Sequence, residues 1–215
     1  MDFIWECKGE AMRFDPSLRY VIYFKGCYCP PHRGHFKTIN HFVNMRLPNV
    51  KYIIHQIGSQ ERHGVPYHLN RKIWELFIEE LLPGNDVSLI KYRSSDDLHH
   101  HPFVRDADVV VIIRGNEYSN IKKEEQTFLQ RYQPTIDHFN HRGIKLYYNF
   151  LDRPDAKKLC ATAMISELKR YQGKYRNCHC RECVKRISHQ MRKFLPSKLS
   201  SRTVRYIVHN LLKHV

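Results

Sequence analysis

Residues 20–35 read Tyr20-Val21-Ile22-Tyr23-Phe24-Lys25-Gly26-Cys27-Tyr28-Cys29-Pro30-Pro31-His32-Arg33-Gly34-His35. The first five are apolar or aromatic without a polar alternation, which predicts a strand buried on both faces rather than one with a wet side. Gly26 then lets the chain turn tightly, and two prolines, having no N–H, stiffen the entry to a helical pattern that begins near residue 33. Strand, turn and helix in that order make the first half of a β–α–β unit.

The same alternation continues outward. Strands are predicted at Tyr20–Phe24, Lys51–Ile57, Val87–Tyr92, Val109–Ile113 and Lys145–Phe150, with helices over 33–46, 70–82, 118–139, 156–172 and 200–213. Consecutive units of this kind build an α/β fold, a Rossmann-like doubly wound five-stranded parallel sheet, here with a basic helical C-terminal extension. Residues 1–172 are expected to form the Rossmann-like domain. Residues 173–215 are expected to add a basic, cysteine-containing insertion and a closing helix packed on the same domain. Ligands of such sheets bind beyond the carboxyl ends of the strands, so the loops there are where chemistry is sought.

Composition agrees with a packed domain. The 215 residues are 42% hydrophobic and 27% charged, which excludes a disordered or collagen-like chain. The longest apolar runs, such as Val109–Ile113, fall short of the roughly 20 residues that span a bilayer, and acids interrupt the N-terminal MDFIWECKGE. The expectation is a soluble, intracellular, cytoplasmic protein with no membrane partner. Seven cysteines, an odd number, fit reduced thiols better than a disulfide framework. The net charge of +15 is unevenly spread, because residues 151–215 hold 16 Lys and Arg against 4 Asp and Glu. A field of that sign concentrated at one end suits a polyphosphate or a nucleic-acid backbone as partner.

His32 and His35 stand three residues apart in a first helical turn. They therefore project to one side, beside unpaired backbone N–H groups and the positive end of the helix dipole, where anions bind. Gly34, lacking a side chain, is expected to let a phosphate approach the backbone between the two imidazoles. The run from Gly26 to His35 closely resembles the HxGH signature, G-x-F-x-P-x-H-x-G-H, of the nucleotidyltransferase superfamily, the cytidylyltransferase-like proteins. The resemblance implies a Rossmann-like fold and transfer of a nucleotidyl group from a nucleoside triphosphate, with release of pyrophosphate. His32 and His35 would then be the catalytic pair, stabilising charge on the α-phosphoryl group in flight, while Gly26, Cys27, Tyr28 and Gly34 contact the nucleotide and Mg²⁺ bridges its phosphates. Cys29 stands where many members carry Asp, Asn or Gln.

Further along, Ile57-Gly58-Ser59-Gln60-Glu61-Arg62-His63 looks like the I-G-S-x-Q-x-x-H segment of archaeal-type nicotinamide mononucleotide adenylyltransferases, one residue shorter. That likeness implies Ser59, Gln60 and His63 as acceptor-binding residues. The fourth strand runs out through Arg114-Gly115-Asn116, similar to the family's strand-end glycine at the adenine and ribose, so Gly115 and Asn116 join the nucleotide-binding set. The Arg-Gly pair also resembles phosphopantetheine adenylyltransferases.

The family's second motif, near I-S-S/A-T-x-I-R, has two candidate positions. Leu159-Cys160-Ala161-Thr162-Ala163-Met164-Ile165 follows the fifth strand and keeps the threonine. Leu199-Ser200-Ser201-Arg202-Thr203-Val204-Arg205 keeps both serines and the arginine. Topology favours the first, because a site loop follows its strand closely, whereas Leu195-Pro196 and the helix after it resemble the family's closing "LP … YI" helix. Cys160, Thr162 and Lys158 are then the nucleotide-binding residues, with Lys158 or Lys169 supplying charge in place of the missing arginine. The stretch 198–202 also resembles the KMSKS loop of class I aminoacyl-tRNA synthetases, but the chain lacks the length for an anticodon-binding domain.

Cys178, Cys180 and Cys183, spaced C-x-C-x2-C, could share one structural Zn²⁺ with His189 or His179 as fourth ligand. The reading as a whole is an adenylyltransferase that takes ATP and a small phosphorylated acceptor such as nicotinamide mononucleotide. The alternatives are cytidylyl transfer from CTP to a phosphorylated alcohol, and a catalytically degenerate protein that binds nucleotide or nucleic acid through the basic C-terminal region. Assembly into a homo-oligomer is compatible with all of them.

Overall fold

The computed structural model of the protein describes residues 4–7, 10–26, 29–57, 63–92, 96–116, 130, 133–152, 160–177 and 180–215. The expectations placed on Cys27, Tyr28, Ser59, Gln60, Lys158 and Cys178 lie outside the described residues. The chain divides into two compact units, residues 1–27, 46–56 and 86–153 in one, and 28–45, 57–85 and 154–215 in the other.

The first unit holds the strands. A hairpin of β1 (Ile4–Cys7) and β2 (Glu10–Arg13) opens it, an element without an expectation in the sequence. The main sheet has β3 (Tyr20–Lys25), β4 (Val50–Ile57), β5 (Val87–Tyr92), β6 (Val109–Asn116) and β7 (Lys145–Asp152) in the order β5-β4-β3-β6-β7. Its pairings of β3 with β4, β3 with β6 and β6 with β7 are parallel, in register Tyr20↔Val50 and Tyr20↔Val109. All five predicted strands are therefore present, as a Rossmann-like α/β sheet. Winding goes one way from β3 through β4 to β5, and the other way through β6 to β7. The topological switch point thus lies between β3 and β6.

Burial explains why these runs are apolar throughout. On one face Val21, Tyr23, Ile53, Val110 and Ile112 join Leu98 of α3 (Asp96–His99), Val104 of α4 (Pro102–Arg105) and Phe139 of α5 (133–141) in a single core. On the other face Ile22, Phe24, Ile54, Val111 and Ile113 are each at most 1% exposed. α5 is the described part of the helix expected over 118–139. Arg19 closes the bottom of the sheet with a two-pronged ion pair to Asp108, Nη2 to Oδ1 at 2.9 Å and Nε to Oδ2 at 3.0 Å. That pairing holds the Asp108 carboxyl down at about 2, chiefly through its hydrogen bonds.

The second unit is helical: α1 (Arg33–Val43), α2 (Tyr67–Leu81), α6 (Ala161–Asn177), α7 (Arg181–Met191) and α8 (Ser201–Leu212), with a 3₁₀ turn at Arg192–Phe194. α8 buries Val204, Ile207, Val208 and Leu211 along one stripe and packs on α2, α6 and α7. Trp74 and Phe77 of α2 are fully buried, edge to face at 5.6 Å. Each such side chain contributes about 2–3 kcal/mol by leaving water. The domain boundary expected at residue 172 falls inside α6, which runs on to Asn177. α7 has no counterpart among the predicted helices.

Candidate nucleotide site

At the switch point, the carboxyl ends of β3 and β6 lie side by side, with Lys25 opposite Arg114. Two cations paired there suit a polyphosphate, and neither was singled out from sequence. The signal available was a basic residue at the end of each of two adjacent strands. Gly115 and Asn116 are the last residues of β6, in register with Leu151 and Asp152 of β7, so the predicted strand-end glycine is at a strand end. Below them in the same unit, His55 of β4 is buried and its Nδ1 is hydrogen-bonded to the Tyr23 hydroxyl. Burial, reinforced by the charge of Lys25, pushes this imidazole down to about 3, so it is neutral.

The chain leaves β3 at this point and reaches α1 within seven residues, 26–32. His32 is the N-cap of α1: its backbone is extended, and its Nδ1 accepts the Gly34 N–H at 3.0 Å. An acceptor at Nδ1 places the proton of the neutral ring on Nε2. The His32 and His35 rings lie together, centroids 3.7 Å apart and planes at 33°. Both are buried, at 1% and 8% exposure, which rules out two ordinary surface histidines at a helix start.

This geometry corrects one expectation. Rings in van der Waals contact leave no room for a phosphate between them, and the Gly34 N–H is already bonded to His32. An anion would have to meet the edges of the rings instead. Cys29, where the family's usual side chain would be amide or acid, is buried with its thiol directed to the Val65 carbonyl, Sγ to O 3.9 Å. That contact ties the loop to the turn before α2.

His63 lies in that turn, half-buried, with φ of 59°. Its neighbour Gly64 has φ of 75°, and a Cβ there would sit 2.4 Å from the His214 carbonyl oxygen, so only glycine fits. The turn is therefore fixed against the end of the chain.

The two versions of the second motif both prove to be helix starts. At α6, Cys160 does the capping in place of serine: its Sγ accepts the Ala163 N–H at 3.4 Å and its carbonyl accepts the Met164 N–H at 3.1 Å. Thr162 is exposed in the first turn, and Ile165, at the arginine position, is packed into the core. Lys169 is exposed one turn further on. At α8, Ser200 caps through Oγ to the Thr203 N–H, 3.1 Å, but the anion place is filled by the protein's own Glu80. The Ser200 N–H and hydroxyl donate to its two carboxylate oxygens at 2.9 and 3.0 Å, and the Thr203 hydroxyl also donates to it.

The cysteine cluster is only partly within the described residues. Cys180 is the N-cap of α7, and its sulfur lies 3.3 Å from that of Cys183. His189 cannot complete a zinc site with them. It is six residues beyond Cys183 on the same helix, about 9 Å along the axis and on a different face, whereas ligands of one zinc lie within about 4 Å of each other. Among the described residues no group of three or more His, Cys, Asp or Glu could hold a metal. The donors at the candidate nucleotide site are imidazoles, a thiol and a hydroxyl. Mg²⁺ prefers oxygen ligands, so here it would be carried by the phosphates of its nucleotide.

No protein-family model matches the chain, and no curated protein matches it. No described helix is long and apolar enough to cross a membrane.

Proposed function

We propose that the protein is a nucleotidyltransferase, transferring an adenylyl group from Mg²⁺–ATP to a small phosphorylated acceptor and releasing pyrophosphate. One observation carries this reading: two imidazoles in contact at the first turn of the helix that follows β3, the strand at the switch point of a parallel sheet. Ligands of such sheets gather where the winding reverses. In this reading the acceptor's phosphate oxygen attacks the α-phosphorus and the bond to the bridging oxygen of pyrophosphate breaks. His32 and His35 meet the α-phosphoryl oxygens as negative charge grows there. Thr162 and the N-terminus of α6 supply further donors. Positioning and electrostatics carry the acceleration, and no covalent enzyme intermediate is formed.

The test is pyrophosphate release from purified full-length protein given Mg²⁺, ATP or CTP, and a panel of acceptors. The expected result is release with ATP and nicotinamide mononucleotide. Release with CTP and a phosphorylated alcohol would move the assignment to cytidylyl transfer. No release with any pair would end the enzyme reading.

A further inference from the structure

The C-terminal basic segment has a structural feature that nucleotidyl transfer does not use. Between α7 and α8 lies a groove of about 390 Å³, in whose lining four cations, Lys185, Arg186, Arg192 and Arg205, stand with one acid, Glu182, beside Ser188 and Ser201. Its charges are poorly neutralised. Lys185 faces Glu182 at 3.6 Å, but Arg186 and Arg205 make no ion pair among the described residues. Arg192 is held rigidly by neutral acceptors only: Nη1 donates to the Leu199 carbonyl at 2.9 Å and to that of Ser197 at 3.3 Å, and Nη2 donates to Ser201 Oγ at 3.0 Å. Its positive charge therefore stays uncompensated, and side-chain entropy has already been given up in fixing it. Ser188, buried at 4% exposure, has a hydroxyl that no described residue engages.

We infer that this groove binds the sugar–phosphate backbone of a single-stranded nucleic acid. Three observations favour a polymer over a free phosphorylated metabolite. Residues 180–215 carry nine Lys and Arg against one acid, Glu182, and five of those cations, Arg181, Lys193, Lys198, Arg202 and Lys213, lie outside the groove, Lys193 being paired with Glu167 at 3.5 Å. A mononucleotide brings at most about two negative charges and would leave most of that field unanswered, whereas a polymer brings one per nucleotide. Next to Arg205, Tyr206 is 42% exposed, the one large hydrophobic side chain that is exposed among the described residues. Its ring stands about a quarter turn around α8 from the groove wall, where an unpaired base can stack while its phosphates follow the charges. The third is Arg192, whose charge is already fixed in place and so attracts a phosphate without further ordering of its side chain.

The inference is independent of the proposed transferase activity and is tested apart from it. Fluorescence anisotropy of a labelled single-stranded oligonucleotide of about 12 nucleotides is measured with full-length protein from about 50 to 200 mM salt. Binding is expected at low salt and should weaken steeply as salt rises. Arg186→Gln with Arg205→Gln should weaken it at least about tenfold and lower the salt slope by about 1.4, two contacts at about 0.7 each. Tyr206→Leu should weaken it about fivefold or more with the slope unchanged, because stacking releases no counterions. His32→Asn should bind like the wild type. Flat anisotropy at low salt, wild-type binding by the double arginine variant, equal competition by a mononucleotide, or loss of binding in His32→Asn would each overturn the inference.

Discussion

The starts of α6 and α8 resemble the same phosphate-binding motif, and the molecule uses them differently. By letters the α8 start is the better match, with two serines and an arginine against the cysteine and isoleucine of α6. By chemistry it is taken. Glu80 from α2 accepts from the Ser200 N–H, the Ser200 hydroxyl and the Thr203 hydroxyl, so the positive end of that helix already faces a carboxylate. At α6 the capping falls to the Cys160 sulfur, and Thr162 is left exposed in the first turn. A helix N-terminus invites an external anion only where the protein has not supplied its own. Ser201 and Arg205 of the better-matching motif line the α7–α8 groove instead.

This contrast can be attacked at several points. The largest effect is expected at α1, the start that leads the chain into the site. His32→Asn keeps a side chain able to cap the helix but loses the Nε2–H, and pyrophosphate release should fall about 100-fold or more with the circular dichroism spectrum unchanged. Wild-type turnover in that variant would break the assignment of the reacting phosphates to this helix.

Next, Thr162→Val at α6 should raise KM for the nucleotide about tenfold, about 1.4 kcal/mol, while Ser201→Ala at α8 leaves the kinetics unchanged. If the two variants behaved the other way round, the nucleotide would belong to α8.

Glu80→Gln should show what the filled site is for. It replaces a charged acceptor by a neutral one and should destabilise the fold by about 1 kcal/mol without changing turnover. Partial burial raises the Glu80 carboxyl, but the hydrogen bonds from Thr203 and Ser200 outweigh it, and the group ends below its usual range. A carboxyl lowered on folding stabilises above its unfolded value, about 4.3, and loses that contribution as the pH falls through the folded one. Urea titrations should therefore separate wild type from Glu80→Gln at neutral pH and bring them together in strong acid.

The smallest effect belongs to Cys160→Ser. A hydroxyl is a better cap acceptor than a thiol, so stability should rise by about 0.5 kcal/mol in the same titrations, with the kinetics at least maintained. A fall in stability would mean that the sulfur is held by more than the α6 amide.

Much of the sheet was legible because its strands are buried on both faces. Tyr20–Phe24 and Val109–Ile113 have no polar alternation, and only a sheet covered on both sides tolerates that. The hairpin of β1 and β2 escaped because IWEC and EAMR mix acids with apolar residues over four positions each, too short for a period to emerge. α7 was not legible because its apolar positions are few among charged and polar ones, with only Ile187, Ser188 and Met191 on its buried side. For the candidate site, the two histidines and the start of α6 were visible as spacing and capping residues. The contact between the imidazoles and the Nδ1 bond to Gly34 were not, since each joins atoms whose meeting depends on the backbone path.

By itself the sequence determined the α/β architecture, the order of its main elements and the concentration of positive charge toward the C-terminus, because periodicity, turn residues and charge are properties of neighbours along the chain. Only the tertiary structure decided which helix start is closed by Glu80, that His189 stands apart from Cys180 and Cys183, and that Arg192 is braced at the edge of a groove. Those outcomes depend on groups far apart in sequence coming within hydrogen-bonding distance, or on how a helix turns its side chains away from one another, and no local pattern encodes either.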